Sequence, residues 1–282
     1  REKKMKRVLH IHKVLMLVAL FLCIGTLTVT SAATVDNKDG KSEKTTTVSK
    51  NTKKKAAKKK GKLVTKNGYT YYKVNGKYVK KRFVKIKGKT YHFGKDGTMT
   101  LGWLRSRGNY YCFSRVNGKM FKNRKVDGIK LDKKGKAEKT DLNIDKINTM
   151  ITARLKVNKI CKATDSKEVK LRKCFDWVAK APYKRYRFLN KIYKQKGWES
   201  TFANDIFKNG DGCCVSEAAA LAFLVHESGY KTVYVAHDTE HAWMELNGKV
   251  YDTLFARAKD YEKYYGLSYK NYSCWAVDKR KI

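Results

Sequence analysis

Residues 241–252 read His-Ala-Trp-Met-Glu-Leu-Asn-Gly-Lys-Val-Tyr-Asp, and their register decides how the C-terminal half is built. Asn247-Gly248 between two short strand-forming runs is the signal of a two-residue hairpin turn. That turn sets Leu246 opposite Lys249, Glu245 opposite Val250 and Trp243 opposite Asp252. Side chains alternate faces along a strand, so His241, Trp243 and Asp252 share one face. Asp252 is then a diagonal neighbour of His241, within reach of its ring. A carboxylate in that position fixes an imidazole's tautomer and orientation. A further strand over 232–236 precedes the pair, giving predicted strands at 232–236, 241–246 and 249–253.

Immediately upstream lies Cys-Val-Ser-Glu-Ala-Ala-Ala-Leu-Ala-Phe-Leu-Val-His-Glu-Ser, residues 214–228, with Gly229 as its stop. The run is apolar on most sides, which predicts a buried helix. Cys214 opens it, just after the glycine turn Gly210-Asp211-Gly212. A helix N-terminus favours negative charge and so favours a thiolate there. A nucleophile (Cys214), a base (His241) and an orienting carboxylate (Asp252) are thus available in one small domain. The Cys214 backbone N–H is one oxyanion donor by position, with Tyr183 and Trp198 as candidates for a second. His226 and His237 are expected as satisfied or surface histidines, and Trp243 as packing beneath the site. An earlier helix is predicted after Asp165, a candidate cap with Glu168 three residues on. Leu171, Cys174, Phe175 and Val178 form its apolar stripe and Pro182 closes it.

These pieces resemble the transglutaminase-like superfamily. The matching stretches are Asn209-Gly-Asp-Gly-Cys-Cys214-Val-Ser-Glu-Ala218, His241-Ala-Trp243, Asn247-Gly-Lys-Val-Tyr-Asp252, and Leu171 to Tyr183 as the preceding helix. The resemblance covers about 160–260. It implies an α+β, papain-like core over 145–282, with Cys214 as nucleophile, His241 as base and Asp252 as orienter. Within the vicinal pair, choosing Cys214 puts Ala218 four residues on, as the family has it, whereas Cys213 shifts that run by one. No cofactor is implied.

A different pattern occupies residues 62–137. Gly68, Gly88, Gly108 and Gly128 recur at an interval of 20. Three of them lead into aromatics: Tyr71-Tyr72, Tyr91-His92-Phe93 and Tyr110-Tyr111-Cys112-Phe113. Phe83 and Trp103 sit 20 apart as well, and Asn75-Gly76, Asp96-Gly97 and Asn117-Gly118 add turn signals. A fixed short period means stacked hairpins, none of which buries its aromatic face alone. The segment resembles the aromatic–glycine wall-binding repeats of Gram-positive surface proteins, of the choline- and glucan-binding type. Only Trp103 keeps that family's Gly-Trp; the other copy has Arg82-Phe83. The wall-ligand aromatics implied are Phe83, Tyr91, Trp103, Tyr110 and Tyr111.

Charge and termini set the context. The 282 residues hold 65 Lys or Arg against 25 Asp or Glu, a formal +40, which calls for an anionic neighbour. Residues 67–137 alone hold 20 basic and 3 acidic residues. The first residues are basic, 14–24 are apolar, and Ser31-Ala32-Ala33 offers a cleavage site, so 1–33 reads as a signal peptide rather than a transmembrane anchor. Residues 34–61 are Lys/Thr-rich and too polar to form a core, which predicts a disordered linker. Export argues against nucleic acid as the partner of the charge. Cys112, Cys161, Cys174, Cys213, Cys214 and Cys274 show no spacing for zinc. Mostly free thiols are expected, with any disulfide pairing left open.

The reading is a secreted or wall-associated cysteine enzyme. Its repeats would hold an anionic or glycan wall polymer, and its substrate would be a protein or a peptidoglycan peptide. Chemistry would run through a Cys214 thioester, by hydrolysis or transamidation. The rival is a non-catalytic wall-binding scaffold that recognises peptides.

Overall fold

The computed structural model describes residues 61–282; the expected signal peptide and nearly all of the expected linker lie outside them. Four antiparallel hairpins come first. They are β1 (Lys62–Lys66) with β2 (Tyr69–Val74), β4 (Arg82–Ile86) with β5 (Lys89–Phe93), β6 (Gly102–Ser106) with β7 (Asn109–Phe113), and β8 (Arg124–Val126) with β9 (Ile129–Leu131). The two-residue β3 (Lys77–Tyr78) adds an edge to the first. Their turns are Asn67-Gly68, Lys87-Gly88, Arg107-Gly108 and Asp127-Gly128, with positive φ at both residues of each pair. That is the mirror-image turn whose twist matches a hairpin, so the period-20 glycines are its second position.

Hairpins are joined by a repeated cross-link. Met99 N–H donates to Thr70 O, Met120 N–H to Thr90 O and Ala137 N–H to Tyr110 O. The acceptor advances by 20 residues at each step, so every loop stitches onto the hairpin before last. Asp96-Gly97 and Asn117-Gly118 turn out to close these loops rather than form hairpins of their own: Gly97 N–H bonds Gly94 O and Gly118 N–H bonds Ser114 O. Phe93, Trp103, Cys112 and Phe113 fill the stack and are fully buried.

The C-terminal part is α+β. α1 (Asp141–Ile160) starts on a Thr140 cap and α2 (Lys167–Val178) on a Ser166 cap, whose hydroxyl accepts the Val169 N–H. Asp165, the expected cap, instead accepts the Lys162 N–H and the Lys173 ammonium. α3 (Trp198–Asn204) runs into a wide π-helical turn at Asp205–Asn209. α4 (Cys214–Glu227) is buried at all of its residues, as its sequence requires. It lies on an antiparallel sheet of order β13-β12-β11-β10-β14. The strands are β10 (Val233–His237), β11 (Ala242–Leu246), β12 (Lys249–Tyr251), β13 (Tyr265–Ser268) and β14 (Asp278–Lys281). Helices α1, α2 and α3 cover the rest of α4. The Glu245–Val250 and Leu246–Lys249 pairs sit as the turn dictates.

Repeats and C-terminal part form one compact unit, and an ionic knot joins them. Arg115 donates to Asp127 (2.9 Å) and to Glu227 on α4 (2.6 Å), with all three side chains nearly buried. Asp127 also accepts the Trp103 indole N–H (2.7 Å) and meets His226 Nε2 at 3.1 Å. Arg154 of α1 donates to the Leu101 and Trp103 carbonyls. Gly102 has no room for a side chain: a Cβ there would lie 2.9 Å from Glu227 Oε2.

Candidate active site

His241 and Asp252 come together, by a route that differs from the expected one. The ladder ends at Met244–Tyr251, so His241 precedes β11 and Asp252 follows β12. Asp252 caps α5 (Thr253–Ala258): its Oδ1 accepts the Phe255 N–H at 3.0 Å. Asp and Asn are strong helix starters, and the cap overrides continuation of the strand. Its Oδ2 then faces His241 Nε2 at 2.7 Å. Tyr272, absent from the sequence reading, donates its hydroxyl to the same oxygen at 2.7 Å. Burial, with Asp252 beside it, pushes the Tyr272 phenol far up, so it stays a donor. Phe255 stacks on the imidazole, 4.4 Å between centroids and 15° from parallel. The His241 backbone N–H is held by Asp238 Oδ1 at 2.6 Å. Ring plane, position and Nε2 bond are all set, and Nδ1 is left without a hydrogen bond among the described residues.

Cys214 lies against the backbone on either side of that histidine. Its thiol points at Glu240 O (3.7 Å), and the Ala242 N–H faces its sulfur. Among the described residues no hydrogen bond joins the Cys214 sulfur to the His241 ring. Cys213, at the N-cap, lies 3.7 Å from Ser216 Oγ. The expectation of a lowered Cys214 thiol is met one residue earlier. The neighbouring Cys214 thiol is the chief influence that lowers Cys213, against its burial. Cys213, and then burial, push Cys214 up. The two neighbouring thiols thus shift in opposite directions, Cys213 down and Cys214 up. Cys213 makes no side-chain cap bond; its place at the start of the helix, where negative charge is favoured, acts in the same direction as the Cys214 contact.

The turn that delivers the pair is crowded. A Cβ on Gly212 would stand 2.5 Å from Ser216 Cβ. Gly212 bonds across to the next segment, its N–H to Pro182 O and its carbonyl to Lys184 N–H. This pins 183–190 beside the thiols, where Arg185, Phe188 and Glu240 help line a narrow cleft over Cys213 and Cys214. Arg187 is committed to Asp205, which also accepts Ser216 Oγ–H. Arg185 has only the Tyr183 hydroxyl, at 2.9 Å, and no carboxylate among the described residues. Its guanidinium is raised chiefly by that hydroxyl, with the Cys214 and Cys213 sulfurs adding to the effect. Arg185 is thus a second group the sequence reading missed, since nothing in Lys184-Arg-Tyr-Arg187 distinguishes one cation from its neighbours.

Glu217 is fully buried, paired with Arg257 (2.8 Å) and Thr253 (2.7 Å). This ties α4 to the helix that Asp252 caps. Trp243 is fully buried and donates to Tyr269 Oη, as packing. Trp198 is also buried, its ring against His237, and does not reach the cleft. Tyr183 stands beside the Gly212 turn, half exposed. His237 is buried rather than at the surface, and burial lowers its basicity.

Of the five repeat aromatics expected at a wall ligand, Trp103, Tyr91 and Tyr110 are buried. Trp103 is turned inward onto Asp127 and the α4 side. Phe83 remains accessible, edge-on to Tyr111 and His92. No cluster of potential metal ligands occurs among the described residues.

Residues 79–124 match the choline-binding repeat family. The span runs from just before β4 to the start of β8. Solved structures similar to the chain include CbpJ of Streptococcus pneumoniae TIGR4, 21% identical over 28% of this chain and 30% of that one, TM-score 0.26. The choline binding domain of Spr1274 from the same species is 22% identical over 27% of this chain and 93% of its own, TM-score 0.26. Choline binding protein F, again from S. pneumoniae, is 27% identical over 28% of each chain, TM-score 0.25. The chain therefore spans under a third of two of these neighbours. No curated protein matches it.

Proposed function

We propose that the chain is a wall-associated cysteine enzyme that cleaves or transfers amide bonds. The observation that carries this reading is the 2.7 Å His241–Asp252 contact set beside a cysteine pair at the start of a buried helix. A buried helix lying on an antiparallel sheet that supplies the histidine is what a papain-like, transglutaminase-like core requires. In the proposed reaction the Cys214 sulfur attacks the acyl carbon of an amide. His241 Nδ1 takes the thiol proton and returns it to the departing amine, leaving a thioester. Water then releases the acid, or a lysine amine forms a new amide; hydrolysis is the reading favoured here. Asp252, fixed by Phe255 N–H and Tyr272, holds the imidazole throughout. Cys214 rather than Cys213 is assigned the attack because its sulfur lies between Glu240 O and the Ala242 N–H, on either side of His241.

Localisation rests on the repeats. Choline-binding repeats support attachment to a cell-wall polymer carrying choline or negative charge, and the excess of basic residues over 67–137 supports the latter. No helix among the described residues is long and apolar enough to cross a membrane. A secreted or wall-bound protein is the corresponding location, with wall peptides as the substrate at hand.

One observation favours the rival, a peptide-binding scaffold without turnover: the Cys214 thiol is held neutral and has no bond to His241. Thiol alkylation against pH separates the two. An enzyme site contains one fast thiol, lost with Cys214→Ala and slowed by His241→Ala; a scaffold shows thiols of ordinary reactivity.

A further inference from the structure

Away from the site, two other cysteines meet. Cys161 is the C-cap of α1, in extended conformation (φ −118°, ψ 150°), so its side chain leaves the helix axis. Cys174 lies mid-way along α2. The Cys161 sulfur stands 4.0 Å from the Lys170 carbonyl. Side chains on a helix tilt toward its N-terminus, over the residue four positions back. That direction sets the Cys174 sulfur over Lys170, on the side where the Cys161 sulfur stands, and each thiol shifts the other's acidity. Both are buried. Among the described residues the one other side chain hydrogen-bonded to either sulfur is Ser228, its Oγ 3.9 Å from Cys174.

We propose that Cys161 and Cys174 form a disulfide under oxidising conditions, stapling the end of α1 to α2. The reaction is exchange with a small disulfide, RSSR. The Cys161 thiolate attacks one sulfur of RSSR, breaking its S–S bond and releasing RS⁻, which takes up the proton that Cys161 lost. The Cys174 thiol then loses its proton and its sulfur attacks Cys161 in the mixed disulfide. The protein S–S bond forms and a second RSH departs. Two protein thiols and RSSR give one protein disulfide and two RSH. Cys161 attacks first because the Cys174 thiol, donating to it, holds it below the ordinary thiol value. Cys174 is pushed up by the same contact and then by burial, and it is fully buried whereas Cys161 retains slight exposure.

The closed loop is short, and it holds the corner under which α4 ends at Ser228. The cap geometry explains why the sequence leaves this pairing open: 161 and 174 are no motif, and only the turn at 161–166 aims one sulfur at the other. Cys112 lies buried inside the hairpin stack, and Cys213, Cys214 and Cys274 make no hydrogen bond to either sulfur among the described residues.

The test uses the full chain. It is incubated with oxidised glutathione, remaining thiols are blocked with N-ethylmaleimide, and the protein is digested with trypsin without reduction. The expected product is a linked pair of the peptides 160–162 and 174–180, with Tm raised by about 5 °C over the reduced protein. Cys161→Ser, at the less buried partner, should keep the fold and lose both the linked pair and the Tm gain. Maleimide on both Cys161 and Cys174 after denaturation of the oxidised sample overturns the proposal. So does a linked peptide joining either to any other cysteine.

Discussion

Asp252 Oδ2 is shared between His241 Nε2 and the Tyr272 hydroxyl, each at 2.7 Å, while Oδ1 caps α5. One carboxylate thus orients the imidazole and starts the helix whose Phe255 stacks on it. Asp252→Asn keeps the cap and the volume, and should slow the reactive thiol while costing little stability. Asp252→Ala removes the cap and strands a buried phenol, and should lose about 2–4 kcal/mol in urea unfolding. Equal stability of the two variants would mean that the cap and the Tyr272 bond contribute nothing.

Gly212 is required for space. Gly212→Ala would drive a methyl into Ser216 Cβ, and the α4 start would have to shift. A loss of about 1–3 kcal/mol is expected, with the alkylation rate of the cysteine pair falling further than in any surface variant. An unchanged rate would show that the pair does not depend on this turn.

The knot between the repeats and the C-terminal part makes a separate prediction. Arg115→Ala leaves Asp127 and Glu227 buried without their cation and should cost about 3–5 kcal/mol. The full chain should bind purified cell walls, and binding should fall steeply between 0.05 and 0.5 M salt if basic charge dominates. Trp103→Phe should lower Tm, through the lost bond to Asp127, and leave wall binding unchanged. Loss of wall binding at unaltered Tm would return Trp103 to the ligand site. The fragment 62–137, cut from Glu227 and Arg154, should bind in the same way but melt well below the full chain.

Arg185 faces both sulfurs without a carboxylate partner. Arg185→Gln should move the alkylation midpoint of the pair to higher pH, because a cation that favours the thiolate is gone. High salt should shrink the difference between variant and wild type. A midpoint that does not move places the guanidinium outside the field of the thiols.

Much of this was legible in the residues. The interval of 20 between Gly68, Gly88, Gly108 and Gly128 gives the hairpin turns because only a small φ-positive residue suits that position repeatedly. Asn247-Gly248 fixes the β11–β12 register, which ends at Met244–Tyr251; the Asp252 cap then completes the approach to His241. The apolar run 214–227 gives the buried helix. What stayed hidden depends on non-local contact. Asp252 reads equally well as a strand end or a helix cap, and the three residues after Tyr251 decide it. Tyr272 lies twenty residues on from Asp252, beyond α5 and β13, and only their packing returns it to the site. Trp103 looks like a ligand ring until Asp127 and α4 are in place. The opposite shifts of Cys213 and Cys214 depend on where each sulfur points, Cys213 toward Ser216 and Cys214 toward Glu240, and adjacency alone says nothing of that.

The central claim is that the vicinal cysteines, His241 and Asp252 act as one reactive unit. The most direct measurement is the rate of iodoacetamide alkylation against pH, resolved by peptide mass spectrometry, for wild type, Cys213→Ser, Cys214→Ser and His241→Ala. In the native protein Cys112 and Cys174, pushed up by burial and, for Cys174, first by the Cys161 contact, should stay unlabelled. The wild-type pair should react through a thiolate that persists well below the ordinary thiol range and is lost as pH falls further, since the Cys214 contact holds Cys213 down. Cys214→Ser should abolish the fast label, His241→Ala should slow it, and Cys213→Ser should retain it with the midpoint moved up. A fast label that survives in Cys214→Ser and disappears in Cys213→Ser would assign the nucleophile to Cys213. Ordinary thiol reactivity in all four proteins would contradict the enzyme reading and leave the binding scaffold.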